Sequence, residues 1–193
     1  MRDLLVQYYL DKLASSLGKP QEPVAEKELL AQYKEKNYAG MVSIMKSELQ
    51  LSTGMRIGWP KVETDPAVPV WIGDSEAVPP YGSDAFKTSK FTLFIQRWFI
   101  EDLPFEMTVM AIAPVLTHLL LLSKRSDLVE DIMAIDVACM FLGFSEFFLK
   151  KESYVHTRRS DEMLEVMMRL QPGCISYQEA VYADSLIKKL REE

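Results

Sequence analysis

Histidine is nearly missing from this sequence: His118 and His156 are the two imidazoles in 193 residues. Zinc centres draw most of their ligands from histidine and cysteine, so few routes to a conventional zinc site remain. Cysteine is equally sparse. Cys139 and Cys174 form no CxxC pair, and Cys139 falls inside a predicted helix among apolar neighbours, so both read as reduced thiols of a cytoplasmic protein. A basic excess is also lacking. The formal net charge is −6 and the pI near 5.1, with acidic and basic residues interspersed, so there is no large positive field for a nucleic-acid backbone. Uninterrupted apolar runs are short. Met1-Arg2-Asp3-Leu4-Leu5 is followed by Gln7 and Asp11, so no uninterrupted apolar region of the secretory kind appears and export is not expected. The stretch from Met107 to Leu122, about 16 residues, falls short of the ~20 that cross a bilayer, and it contains Thr108, Pro114, Thr117 and His118. It reads as a buried core helix, with no membrane partner.

What is present suits one domain over residues 1–193, with a core large enough to fold without disulfides or metals. The first part, 1–53, is helical. Leu4, Leu5, Tyr8, Tyr9, Leu13 and Leu17 recur at helical spacing until Gly18-Lys19-Pro20. Further helices are predicted from about Val24 to Lys36 and from about Tyr38 to Leu51, the latter striped by Met41, Ile44, Met45 and Leu49. Residues 54–99 change character. Met55–Trp59, Val68–Ile72 and Phe91–Ile95 are β-branched or aromatic runs divided by proline, glycine and aspartate, and they read as strands of a small sheet. Pro69 inside the second run marks an edge, because proline cannot donate to a ladder.

The last part, 100–193, is again helical. Asp102-Leu103-Pro104, with Glu106 following, starts a helix well, since proline and acids suit a first turn. Asp127 and Glu130 have the spacing of a capping box for the next helix, which continues through Ile132, Ile135, Cys139 and Leu142, and Gly143 ends or bends it. Two more amphipathic helices are expected, from about Asp161 to Leu170 and from Tyr177 to Leu190. The eleven methionines read mainly as core, and Lys150, Lys151, Arg158 and Arg159 around His156 as a solvated basic patch.

Pro104-Phe105-Glu106, then Ile112-Ala113-Pro114-Val115-Leu116-Thr117-His118, then Asp136 through Phe144 resemble a bacterial zincin pattern of P-F-E, I-A-H-E-L-S/T-H and V-D-L-T-A-M-L-L-G-F. The family is the gluzincin branch of the H-E-x-x-H metalloproteases, and the likeness spans roughly residues 68–148. It implies an α+β fold: mostly helical, with a small three- to four-stranded sheet packed on a zincin-like pair of core helices. It also implies a lost activity. Pro114 stands at the first zinc-ligand position and Val115 at the general-base position, while His118 keeps the second ligand position. The third ligand position falls on Ile132, four residues before Asp136, the aspartate that in this branch orients a ligand histidine. Asp131 lies one residue away, a rotation of about 100° off the required helix face. Proline inside the motif helix predicts a kink between Met110 and Pro114.

The expected function is therefore that of a degenerate, catalytically inactive zincin: no metal, no cofactor, and no catalytic residue. It would bind another protein as a regulator, adaptor or complex subunit, an intact homologue being one such partner. Trp59, Trp71, Tyr81 and Trp98 lie near the strands, where zincins present an edge to extended peptides. The plainer role for these rings is packing the sheet on the helices. Likewise His118 and Asp136 read as hydrogen-bonded buried groups before any other role. Two alternatives stay open: a divergent metal-dependent hydrolase using His118 with Asp136, Asp131 or Glu130, and a helical assembly protein unrelated to zincins, docking through Leu4, Tyr8 and Leu13.

Overall fold

A computed structural model describes residues 2–60, 68–73, 77–150, 154–159, 165–170 and 173–192, with the backbone alone for 154–159 and 165–170. The α+β, mostly helical architecture is as expected. Helix α1 (Arg2–Leu17) buries Val6, Tyr9, Leu10 and Leu13 against the C-terminal helix α9 (Tyr177–Glu192) and against α7 (Ile132–Cys139). It stops where Gly18 takes a φ of +86° and its amide returns to the Ala14 carbonyl at 3.1 Å. Helices α2 (Glu26–Lys34) and α3 (Tyr38–Glu48) form a pair, the second capped by the Asn37 side chain, which accepts the Gly40 amide.

The sheet consists of β1 (Gly54–Gly58), β2 (Val70–Gly73) and β3 (Lys90–Ile95) in the order β1-β3-β2, with short helix α4 (Asp84–Thr88) before β3. Strand β1 runs parallel to β3 and β2 runs antiparallel to it, so β2 is an edge, as Pro69 predicts. Alternation sets the faces. Phe91, Leu93, Ile95 and Val70 are buried on the inner face, whereas Thr92, Phe94 and Trp71 share the outer one. There the Phe94 ring lies beside Gly73, whose added Cβ would come within 2.7 Å of it, and stacks on Trp71 at 5.3 Å.

Helix α5 (Arg97–Asp102) leads through Pro104 into α6 (Phe105–Ser123), which continues through Pro114 as one helix of 19 residues. The chain's real interruption lies further on. After α7 the chain kinks before α8 (Ser145–Leu149): Leu142 and Gly143 leave helical geometry, Gly143 at a φ of +98°. A Cβ there would sit 2.5 Å from the Glu22 carbonyl oxygen. The close approach has a purpose. Gln21 and Val24 donate their amides to the Phe141 and Gly143 carbonyls, each at 3.0 Å, satisfying backbone groups that the unwound turn frees. The expected bend at Gly143 is therefore present.

Two expectations are corrected. The cap of α7 is Asp131, which accepts the Met133 and Ala134 amides at 2.9 and 3.3 Å; Asp127 and Glu130 lie in the preceding turn, and Asp127 is paired with Lys12. Asp131 stands directly before the first helical residue, where a side-chain oxygen reaches the second and third amides. The helix expected at 161–170 is instead a strand over its described residues. Strand β5 (Glu165–Leu170) pairs antiparallel with β4 (Tyr154–Arg159), and the β-branched and aromatic content of Tyr154, Val155, Thr157 and Val166 suits that ladder. These two strands form a second sheet, so among the described residues the main sheet has three strands. Lys151 lies outside the described residues.

Helix α6 and the stretch Ile132–Leu149 are long and apolar enough to cross a membrane by composition, but 67% and 83% of their apolar windows are buried inside the fold. Their apolar surface is spent on the protein's own core, which takes residues from Val6 to Ile187.

Candidate functional site

The motif helix and the edge strand meet. Val115, His118, Leu119 and Leu122 of α6 face Val70, Trp71 and Ile72 of β2 across a recess of about 210 Å³. Its walls are apolar apart from one imidazole. His118 is half-buried, and burial holds its imidazolium below the usual range, partly offset by the nearby Glu130 and by a hydrogen bond to the Val129 backbone. At neutral pH it is an uncharged, backbone-anchored side chain.

Asp136 faces elsewhere. It is 1% exposed, and its carboxylate accepts the amides of Cys174 and of Ile175, the latter at 3.1 Å. Gly173, at a φ of +72°, has no room for a side chain, since a Cβ would lie 2.8 Å from the Asp136 carboxylate. Buried charge is thus compensated by a loop folded around it. The sequence contains a clue in Pro172-Gly173, a turn signal, though not its distance from Asp136.

The remaining motif positions do not converge on a metal. Pro114 and Val115 are half-buried, and Ile132, the residue that the resemblance would align with a third ligand, is 66% exposed. Among the described residues no group of three or more His, Cys, Asp and Glu side chains is arranged to hold an ion. Asp131 is occupied as the α7 cap and also accepts the hydroxyl of Tyr9, a partner 122 residues away that no local pattern announces. Cys139 is fully buried, and desolvation pushes its thiol well above the usual range.

The four aromatic residues expected near a peptide edge have different surroundings. Trp71 lines the recess and stacks on Phe94. Trp59 packs edge-on against Tyr38, with the Arg97 guanidinium over its ring. Tyr81 donates to the Gln50 carbonyl at 3.0 Å and carries the Lys124 ammonium 4.3 Å over its ring. Trp98 donates to the Gln96 side chain at 2.6 Å.

Backbone geometry along β2 completes the site. Gln96 donates its amide to the Pro69 carbonyl at 3.0 Å, which makes Pro69 and Gln96 a hydrogen-bonded pair at the end of the ladder. Such pairs alternate along an antiparallel ladder, so Trp71 and Phe94 form the next one. Val70 and Ile72 then turn their N–H and C=O groups away from β3. Among the described residues no further strand pairs with that side. Comparison with protein-family models, with curated proteins and with solved structures finds no match.

Proposed function

We propose that this chain is a non-catalytic, zincin-like protein that binds an extended segment of another protein along β2, and so acts as a regulator, adaptor or complex subunit in the cytoplasm. The observation that carries the reading is the edge of β2 that no described strand pairs with, beside the apolar recess against α6. An added strand would take its main-chain hydrogen bonds from Val70 and Ile72. An apolar side chain of that strand, on the inner face opposite Ile72, would enter the recess between Ile72 and Val115. The residues at the former catalytic positions support the non-catalytic half of the reading, since proline, valine and isoleucine neither coordinate zinc nor move protons.

Elemental analysis of the purified protein, with a casein-cleavage assay, tests that half: stoichiometric zinc accompanied by cleavage overturns it. Fluorescence anisotropy with a panel of extended apolar peptides tests the other. Binding that Ile72→Pro removes supports strand addition, because proline takes away an outward N–H; binding untouched by that change counts against it.

A second reading, the helical assembly protein, rests on α1, where Leu4 is 73% and Tyr8 49% exposed. Leu13, expected on the same docking face, is instead fully buried in the core. Solution mass measured for a Leu4→Glu, Tyr8→Glu variant checks this reading, and an unchanged oligomer removes its support.

A further inference from the structure

A separate recess of about 460 Å³ opens where the C-terminal ends of α1 and α6 meet the turn that leads to α7. Its charge is out of keeping with the rest of the molecule. Lys12, Lys124 and Arg125 line it against a single acid, Asp127, in a chain whose net charge is −6. Ser15, Ser16 and Ser126 add hydroxyls, and half-buried Leu17 lies over the buried side chains of Leu121 and Leu128.

Cations often gather at helix C-termini simply to answer the free carbonyls there. In α6 those carbonyls are already bonded. Leu120, Leu121, Leu122 and Ser123 accept the amides of Lys124, Ser126, Arg125 and Tyr81 respectively, at 2.8 to 3.1 Å. The lysine and arginine side chains are therefore left for other work. Each is also held in place. The Lys124 ammonium sits 4.3 Å over the Tyr81 ring, and Arg125 donates one N–H of its five to the Val78 carbonyl at 3.0 Å. Arg125 does so from a left-handed backbone, with a φ of +57°, which glycine or asparagine adopts with less strain. Lys12 bonds the Asp127 carboxylate at 2.7 Å, with both side chains substantially exposed. Such a pair is readily exchanged for a better anion.

We propose that this recess binds the phosphate group of a small soluble phosphorylated molecule. Arg125, Lys124 and Lys12 hold the oxygens, and Asp127 is an internal stand-in that the phosphate displaces from Lys12. A planar guanidinium with free N–H groups and two ammonium groups suits a tetrahedral anion. Size decides in favour of a small molecule, because the volume lies within the roughly 300–1,000 Å³ of small-ligand pockets. The site is independent of the β2 edge, and neither proposal needs the other.

Titration calorimetry of the whole chain with sodium pyrophosphate, at constant ionic strength in a phosphate-free buffer, tests the proposal. Saturable binding is expected, weakened about tenfold or more by Arg125→Gly and by Lys124→Met, each losing a charge-assisted contact. Asp127→Asn should tighten it by about two- to fivefold, since Lys12 is then unopposed. Circular dichroism shows whether each variant is folded, and the glycine variant relieves the left-handed backbone, so loss of binding is not loss of structure. No saturable heat at millimolar pyrophosphate, or unchanged affinity in both cation variants, overturns the site. Weaker or unaltered binding by Asp127→Asn overturns the role given to Asp127.

Discussion

Replacing Asp136 by alanine should destabilise this protein more than any change at the motif positions of α6. The carboxylate is almost wholly buried and accepts two backbone amides, those of Cys174 and Ile175. Hydrogen bonds to a charged group are worth about 1.5–3 kcal/mol each, and the amides left behind lose their partner in a site too closed for water to enter freely. A loss of about 3–5 kcal/mol follows. For a chain of 193 residues that corresponds to a fall of roughly 6–20 °C in the unfolding midpoint. Asp136→Asn keeps one acceptor oxygen of similar shape but no charge, and should cost about 1–2 kcal/mol. Differential scanning calorimetry, run with and without EDTA, measures both. A fall under about 3 °C for Asp136→Ala would refute the argument. So would a comparable fall produced in the unaltered protein by EDTA, because the carboxylate would then be serving a metal site and not the 173–175 loop.

Other expectations follow from the same contacts. Gly143→Ala meets both a φ of +98° and the Glu22 carbonyl at 2.5 Å, so it should cost about 2–4 kcal/mol in chemical denaturation. Gly18→Ala, at a φ of +86° but in open space, should cost only about 1 kcal/mol, and equal losses at the two sites would show that the 21–24 strap is not held by Gly143. Asp131→Asn tests a linkage. The Tyr9 hydroxyl chiefly, against some desolvation and aided by the Ala134 and Met133 amides, keeps the Asp131 carboxyl below its usual range. Its contribution is therefore complete above the unfolded carboxyl pKa and disappears as pH falls through the lower folded value. The unaltered protein should lose more stability on acidification than the asparagine variant, and parallel pH profiles would contradict this. Along β2, Trp71→Pro removes a ladder hydrogen bond to β3 and should lower the midpoint further than Ile72→Pro, whose N–H faces outward; circular dichroism melts compare them.

Much of the architecture was legible because local signals and tertiary packing agree. The helical spacing of Leu4, Leu5, Tyr8, Tyr9, Leu13 and Leu17 announced α1, but of these it buries Tyr9 and Leu13, while Leu4, Leu5 and Tyr8 are exposed and Val6 and Leu10 complete the buried face. Pro69 announced an edge, and Gly143 a bend, since each carries a backbone restriction that few environments tolerate. Strand β5 was not legible. Glu165-Val166-Met167-Met168-Arg169-Leu170 is a short apolar run whose spacing fits either period, and its pairing with Tyr154–Arg159 is not specified by any local pattern. The cap of α7 was misjudged for a related reason. Asp127, Glu130 and Asp131 all offer carboxylates near the helix start, and the choice depends on Lys12 and Tyr9 approaching from α1, more than a hundred residues earlier in the chain. At the candidate site, His118 and Val115 were identifiable from the motif, and Trp71 from its strand. The partners that define their environments, Val129 for His118 and the 173–175 loop for Asp136, depend on long-range folding.

Amide hydrogen exchange along β2, recorded by NMR on the labelled protein before and after saturation with a peptide selected from a random displayed library, tests the central claim most directly. Strand addition predicts that Val70 and Ile72 become at least about tenfold more protected, while Trp71, already bonded to β3, changes little. A saturating peptide that leaves Val70 and Ile72 exchanging as before, or that is cleaved during the experiment, would contradict the account.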